Sequence, residues 1–113
     1  MVMKKEKDPP LVHIYPQVAW HDDVYIIANE EGLLALQTAI DKALKKGKSV
    51  ARVFTADGEG YGVKVLLHSA GWPSEEWKTL ALPYTADYTK DMAPSVNNTV
   101  VEARELWRRK AGY

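Results

Sequence analysis

The chain has 113 residues, 46% hydrophobic and 27% charged, with no cysteine and fifteen basic residues set against fifteen acidic ones. One globular domain is the expectation from such a length and composition, and the missing cysteines exclude disulfides, thiolate nucleophiles and cysteine-based zinc sites together. A formal net charge of zero argues against capture of long nucleic acid by a whole-molecule field. No apolar run reaches the roughly 18 residues of a membrane span, and the charged start resembles no signal peptide, so a cytoplasmic location with no membrane partner is predicted.

In chain order, residues 1–10 read as a charged, proline-ended flexible leader, and 11–113 as a single α+β ligand-binding domain. Leu11 to Tyr15 is β-branched and aromatic and stops at Pro16, which predicts a strand. Val18 to Trp20 reads as a second short strand. The polar His21-Asp22-Asp23 turn then leads to a third, Val24 to Ala28. Asn29 is a good helix N-cap, with Glu30 and Glu31 at the positive end of the dipole. Leu33, Leu36, Ile40 and Leu44 recur at helical spacing, Lys42, Lys45 and Lys46 cluster at the far end, and Gly47 can take positive φ to end the helix.

Val50 to Thr55 and Tyr61 to His68 read as the arms of a β-hairpin around Ala56-Asp57-Gly58-Glu59-Gly60. Around Ser74-Glu75-Glu76 a loop or a single helical turn is expected, followed by an edge strand from Lys78 to Leu82 that Pro83 ends. After Pro94 and Ser95 a final helix carries Val96, Val100, Ala103 and Trp107 on one face and Arg104, Arg108, Arg109 and Lys110 towards its end. The expected architecture is a small antiparallel sheet of about six strands with one inserted helix and a C-terminal helix.

His13, His21 and His68 show no metal-ligand spacing, and the serines and threonines sit in no nucleophile elbow. His21 beside Asp22 and Asp23 could chelate a cation, or form a solvated turn. The Asp57-Gly58-Glu59-Gly60 string could hold a carboxylate pair for acid–base work, or form a wet hairpin tip. No enzymatic group, metal or cofactor is therefore expected. The aromatic residues carry more information. Trp72, Trp77, Tyr84 and Tyr88 crowd the C-terminal third near late arginines, and flat rings with guanidinium groups can stack a base and grip phosphate. The alternative reading makes Trp107 and some tyrosines core and the late arginines complements to the helix C-terminus, and on chemistry alone it has a slight edge.

The order of strands, inserted helix and basic C-terminal helix resembles the phage-encoded Thoeris anti-defence sponges of the first family, which capture glycocyclic ADP-ribose. The resemblance covers nearly the whole chain from Leu11 onward. It implies a non-enzymatic protein that sequesters a host cyclic nucleotide-type immune signal, a cyclic ADP-ribose isomer or a cyclic oligonucleotide, and so keeps an antiphage effector silent in the host cytoplasm. Arg52 on the strand after the first helix, Trp77, and Arg104 with Arg108 stand where that family's ligand-binding residues would fall, and Asp87 lies nearest the place of a family asparagine. A pocket completed by two protomers implies a homodimer or higher homo-oligomer. The stretch Ala28 to Leu36 also resembles the helix start of immunity proteins that neutralise bacterial polymorphic toxins, which would make the partner a protein bound through Trp72, Trp77 and Tyr84.

Overall fold

A computed structural model describes residues 8–19, 21–83 and 102–109. The chain divides into two compact units, one formed by Met1–His13 with Ala28–Gly71, the other by Ile14–Ile27 with Trp72–Tyr113. The class is α+β with small antiparallel sheets. Strand β1 (Val12–Tyr15) pairs with β2 (Tyr25–Ala28), and β3 (Lys48–Phe54) pairs with β4 (Gly60–Leu66). Between the pairs runs helix α1 (Glu30–Lys46); α2 (Glu75–Lys78) and a helix over residues 102–109, here α3, follow.

The first unit is built on α1. Asn29 caps it in extended geometry, its Oδ1 accepting from the Gly32 amide at 2.8 Å. The same oxygen accepts from the Leu11 amide at 2.9 Å, while Nδ2 donates to the Pro9 carbonyl at 2.9 Å. One side chain therefore satisfies an orphan helix donor and also ties down the chain entering β1. At the far end Gly47, at φ 100°, donates to the Ala43 carbonyl at 2.8 Å and closes the helix.

The helix packs its small residues inward. Gly32, Leu36, Ala39 and Ala43 are buried, and the core joins Leu36 and Ala39 to Val12, Ala51 and Val53. A Cβ at Gly32 would stand 2.2 Å from the Leu11 carbonyl oxygen and 2.8 Å from Val12 Cγ2, so only glycine lets the strand entry lie against the helix. Leu33, Ile40 and Leu44, part of the periodic set that marks the helix, are 52%, 51% and 63% exposed. Their stripe is turned by roughly a quarter of a turn from the buried face, at 100° per residue.

β3 and β4 form an antiparallel hairpin in the register Lys48↔Leu66, Val50↔Lys64, Arg52↔Gly62 and Phe54↔Gly60. Buried Ala51 and Val53 face the core, with Tyr61, Val63 and Val65 of β4 packed beside them. The Ser49 hydroxyl donates to the Ala39 carbonyl of α1 and the Tyr61 hydroxyl to the Val12 carbonyl, so both polar tips on the packed side have partners. Burial pushes the Tyr61 phenol upward from its ordinary pKa. A parallel bridge between Leu11 and Phe54 joins the start of β1 to the end of β3.

Two expected strands are corrected. Val18 and Ala19 are not in a strand: Asp22 accepts from the Ala19 amide at 3.1 Å, Gln17 Nε2 donates to the Asp22 carbonyl at 3.0 Å, and His21 takes φ 70°. Local side-chain bonds to the backbone outcompete a ladder there. Lys78 to Leu82 is not an edge strand, because Ser74 caps α2 and the Thr79 amide and hydroxyl both bond back to the Glu75 carbonyl. Four strands in two pairs, rather than one sheet of six, are present among the described residues. The expected start of the last helix at Pro94 or Ser95 lies outside the described residues.

Candidate functional site

Strand alternation sends Lys48, Val50, Arg52 and Phe54 to the face of β3 opposite the core, and the register sets Leu66, Lys64, Gly62 and Gly60 directly across from them. Among the described residues of β3 and β4 this outer face carries three cations and no carboxylate. Lys64, opposite Val50, is a diagonal neighbour of both Lys48 and Arg52, at the roughly 7–8 Å of such positions. The Arg52 guanidinium lies across Gly62, its Nη1 3.4 Å from where a Cβ would be, and the Phe54 ring covers Gly60, with Cε2 at 3.2 Å from the corresponding point. Glycine at both positions gives room for the Val50 methyl, the Arg52 guanidinium and the Phe54 ring to lie against β4. At the open end of the hairpin Lys48, Ser49, Val50, Lys64, Val65 and Leu66 line a shallow groove of about 530 Å³.

Of the residues expected to bind ligand, Arg52 is exposed on this face of the first unit. Trp77, Arg104 and Arg108 belong to the second. Trp77 lies on α2 and is 39% exposed. Arg104 Nε donates to the Tyr25 hydroxyl at 3.3 Å; that bond, and then the Asp22 and Asp23 carboxylates, push its pKa upward. A guanidinium in such acidic company is a poorer anion site than one on an acid-free face. Arg108 pairs with Glu105 across one turn at 3.2 Å, an exposed pair of the kind worth at most about 1 kcal/mol. Asp87 lies outside the described residues. Sequence reasoning picked out Arg52 but missed Lys48 and Lys64. The signal was the period of two in each arm, which becomes informative only once the register is known.

At the hairpin tip the Asp57 carboxylate accepts from the Thr55 hydroxyl and, at 3.2 Å, from the Glu59 amide, and these bonds hold its pKa below the ordinary carboxylate value. Gly58 at φ 93° completes the turn. The histidine tied to this tip is His13, whose Nε2 accepts from the Ala56 amide at 2.9 Å. His68 follows β4 at the other end of a seven-residue hairpin arm, about 20 Å away at 3.3 Å per residue. No group of three or more His, Cys, Asp or Glu able to hold a metal occurs among the described residues.

No helix of the described residues is long and apolar enough to cross a membrane. No family model, no curated protein and no solved structure matches the chain.

Proposed function

We propose that the chain is a non-enzymatic binder of a small, multiply anionic nucleotide-type ligand, which it sequesters rather than transforms. The observation that carries this reading is the acid-free outer face of β3–β4, with Lys48, Arg52 and Lys64 side by side and Arg52 laid over Gly62. Like charges held at diagonal positions repel, and a bound polyanion relieves that repulsion while taking the bidentate bonds an arginine fork offers. The resemblance to the Thoeris anti-defence sponges supplies the ligand class, a cyclic ADP-ribose isomer or a cyclic oligonucleotide, and the biological role, silencing an immune effector. On that reading the protein works as a homodimer or larger assembly in the cytoplasm, and Trp77, Arg104 and Arg108 are the further ligand-binding residues that the resemblance implies.

The test is a thermal-shift screen against cyclic ADP-ribose isomers and cyclic di- and trinucleotides, because a ligand that binds only the folded chain raises its apparent stability by RT ln(1 + [L]/Kd). A ligand that stabilises the protein and is recovered intact on heating is the expected outcome. A hydrolysed product would make the chain an enzyme, and no shift with any of them would remove the nucleotide reading.

A second reading, an immunity protein that neutralises a toxin, draws on a different observation. Leu33, Ile40 and Leu44 form an exposed apolar stripe on α1, and Trp72 is 80% exposed. Large exposed apolar side chains of this kind suit a protein partner. The mass in solution discriminates: a monomer that ignores every nucleotide favours this reading, and a dimer that binds one favours the first.

A further inference from the structure

We propose that the groove at the open end of the β3–β4 hairpin seats the apolar body of a phosphate ester whose phosphate groups extend along the same face towards Arg52. The proposal rests on the anion-binding reading of that face and adds where the uncharged part of the ligand goes and which residues hold it.

The chemistry of the lining selects the ligand class. Val50 is 40% exposed and Leu66 70%, on an outer face where nothing among the described residues covers them. Together these two side chains give the groove an apolar floor. Ser49 has its hydroxyl committed to the Ala39 carbonyl, so its proton is not offered to a ligand. What remains polar in the lining is the pair of ammonium groups of Lys48 and Lys64, compact point charges without the geometry to read a hydrogen-bonding pattern. Such a groove takes a body with no fixed polar pattern, such as a flat ring, next to strong negative charge. Its volume of about 530 Å³ falls within the roughly 300–1,000 Å³ of small-molecule sites.

Charge fixes the rest. Lys64 stands between Lys48 and Arg52 on diagonals, so an anion beside Lys64 is within reach of all three cations, and a dianion balances them better than a monoanion. Arg52 offers the one planar fork on the face, and Gly62 across from it gives the guanidinium room to lie along the strand. A ligand running from groove to arginine is thus a flat ring first and phosphate second, an order that a nucleoside diphosphate shares, the faces of its base being the part that meets Val50 and Leu66. A fatty carboxylate matches the floor but brings a single charge.

The experiment is a titration of the full chain with ADP, inorganic pyrophosphate, adenosine and octanoate, followed by methyl NMR of Val50 and Leu66 and by calorimetry. ADP is expected to shift both methyl sets and to bind more tightly than pyrophosphate, with adenosine and octanoate weaker than both. Lys48→Gln and Lys64→Gln are each expected to weaken ADP about tenfold, the size of one lost charged hydrogen bond. Both sites are exposed, so folding is preserved, and circular dichroism checks it. Binding of ADP with the Val50 and Leu66 methyls unmoved, or with Lys64→Gln as tight as the parent, overturns the groove while leaving the anion-binding reading in place. Octanoate binding as tightly as ADP overturns the phosphate assignment. Failure of both ADP and pyrophosphate to bind overturns the groove and the anion-binding face together.

Discussion

Asn29 carries more structure than a cap usually does. Its side chain bonds Gly32 within the helix and both Pro9 and Leu11 at the entry to β1, so removing it frees one helix donor and two strand-entry groups. Asn29→Ala is expected to lower stability by about 2 kcal/mol, the upper end for a cap, and Asn29→Asp by less, because the carboxylate keeps both acceptor contacts and loses only the bond to Pro9. Equal losses in denaturant melts would show that the bond to Pro9 matters most. Gly32 is a harder constraint: a methyl placed 2.2 Å from the Leu11 carbonyl oxygen must move backbone, and Gly32→Ala is expected to cost about 3 kcal/mol despite the better helix propensity of alanine. A gain in melting temperature would refute the close approach. Asp57 provides the pH test. Its pKa is lowered first by the Thr55 hydroxyl and then by the Glu59 amide, so the ionised form is favoured in the fold. The contribution is therefore present above the ordinary aspartate value of 3.8 and is lost as pH falls through the lower folded value. The Glu59 amide resonance should titrate with a midpoint below 3.8. A midpoint at or above that value would mean the tip bonds do not form in solution.

At the scale of elements, what was legible in the sequence was what depends on local chemistry. The Asn29 cap, the acidic first turn, the lysines of the last turn and the Gly47 stop all act within one helix, and α1 runs between them as expected. The hairpin was legible because Gly58 and Asp57 set its turn and alternation sets its arms. The inward face of α1 was not, because it is chosen by the partner: Gly32, Ala39 and Ala43 allow a closer approach to β1 and β3 than the leucines would, and packing overrides the larger apolar stripe. The site was half legible for a related reason. Arg52 stands out as a charge within a strand, whereas Lys48 and Lys64 join it only through cross-strand register. The exposed stripe yields its own prediction. Ile40→Gln, on a side chain 51% exposed, should change the stability of the chain by under about 1 kcal/mol, while Ala39→Leu, at 3% exposure, should cost about 1–3 kcal/mol by overpacking. If Ile40→Gln proves as costly as Ala39→Leu and the cost depends on protein concentration, the stripe is buried by a partner subunit.

For the whole molecule, zero formal charge and a sequence pI near 6.8 mean that attraction of an anion must come from the local field of the hairpin face. Screening over a Debye length of about 10 Å at 0.1 M salt leaves little beyond the three cations for a ligand to feel. The cations are exposed, so that local attraction is itself sensitive to salt. Raising ionic strength from about 0.05 to 0.3 M shortens the Debye length from roughly 14 to 6 Å, less than the diagonal spacing of Lys48, Lys64 and Arg52. Affinity for ADP is expected to fall several-fold over that range while the contribution of the apolar groove persists, so binding should weaken without vanishing. A duplex DNA, which spreads one charge per roughly 1.7 Å along a rod, can place few phosphates on a face this small and meets no supporting field around it. It should therefore fail to displace ADP even at low salt. Calorimetry at the two ionic strengths and a competition titration with duplex DNA measure both effects. Salt-independent ADP binding would put the affinity in the groove alone, and efficient displacement by DNA would show that the chain's positive field extends well past Lys48, Arg52 and Lys64.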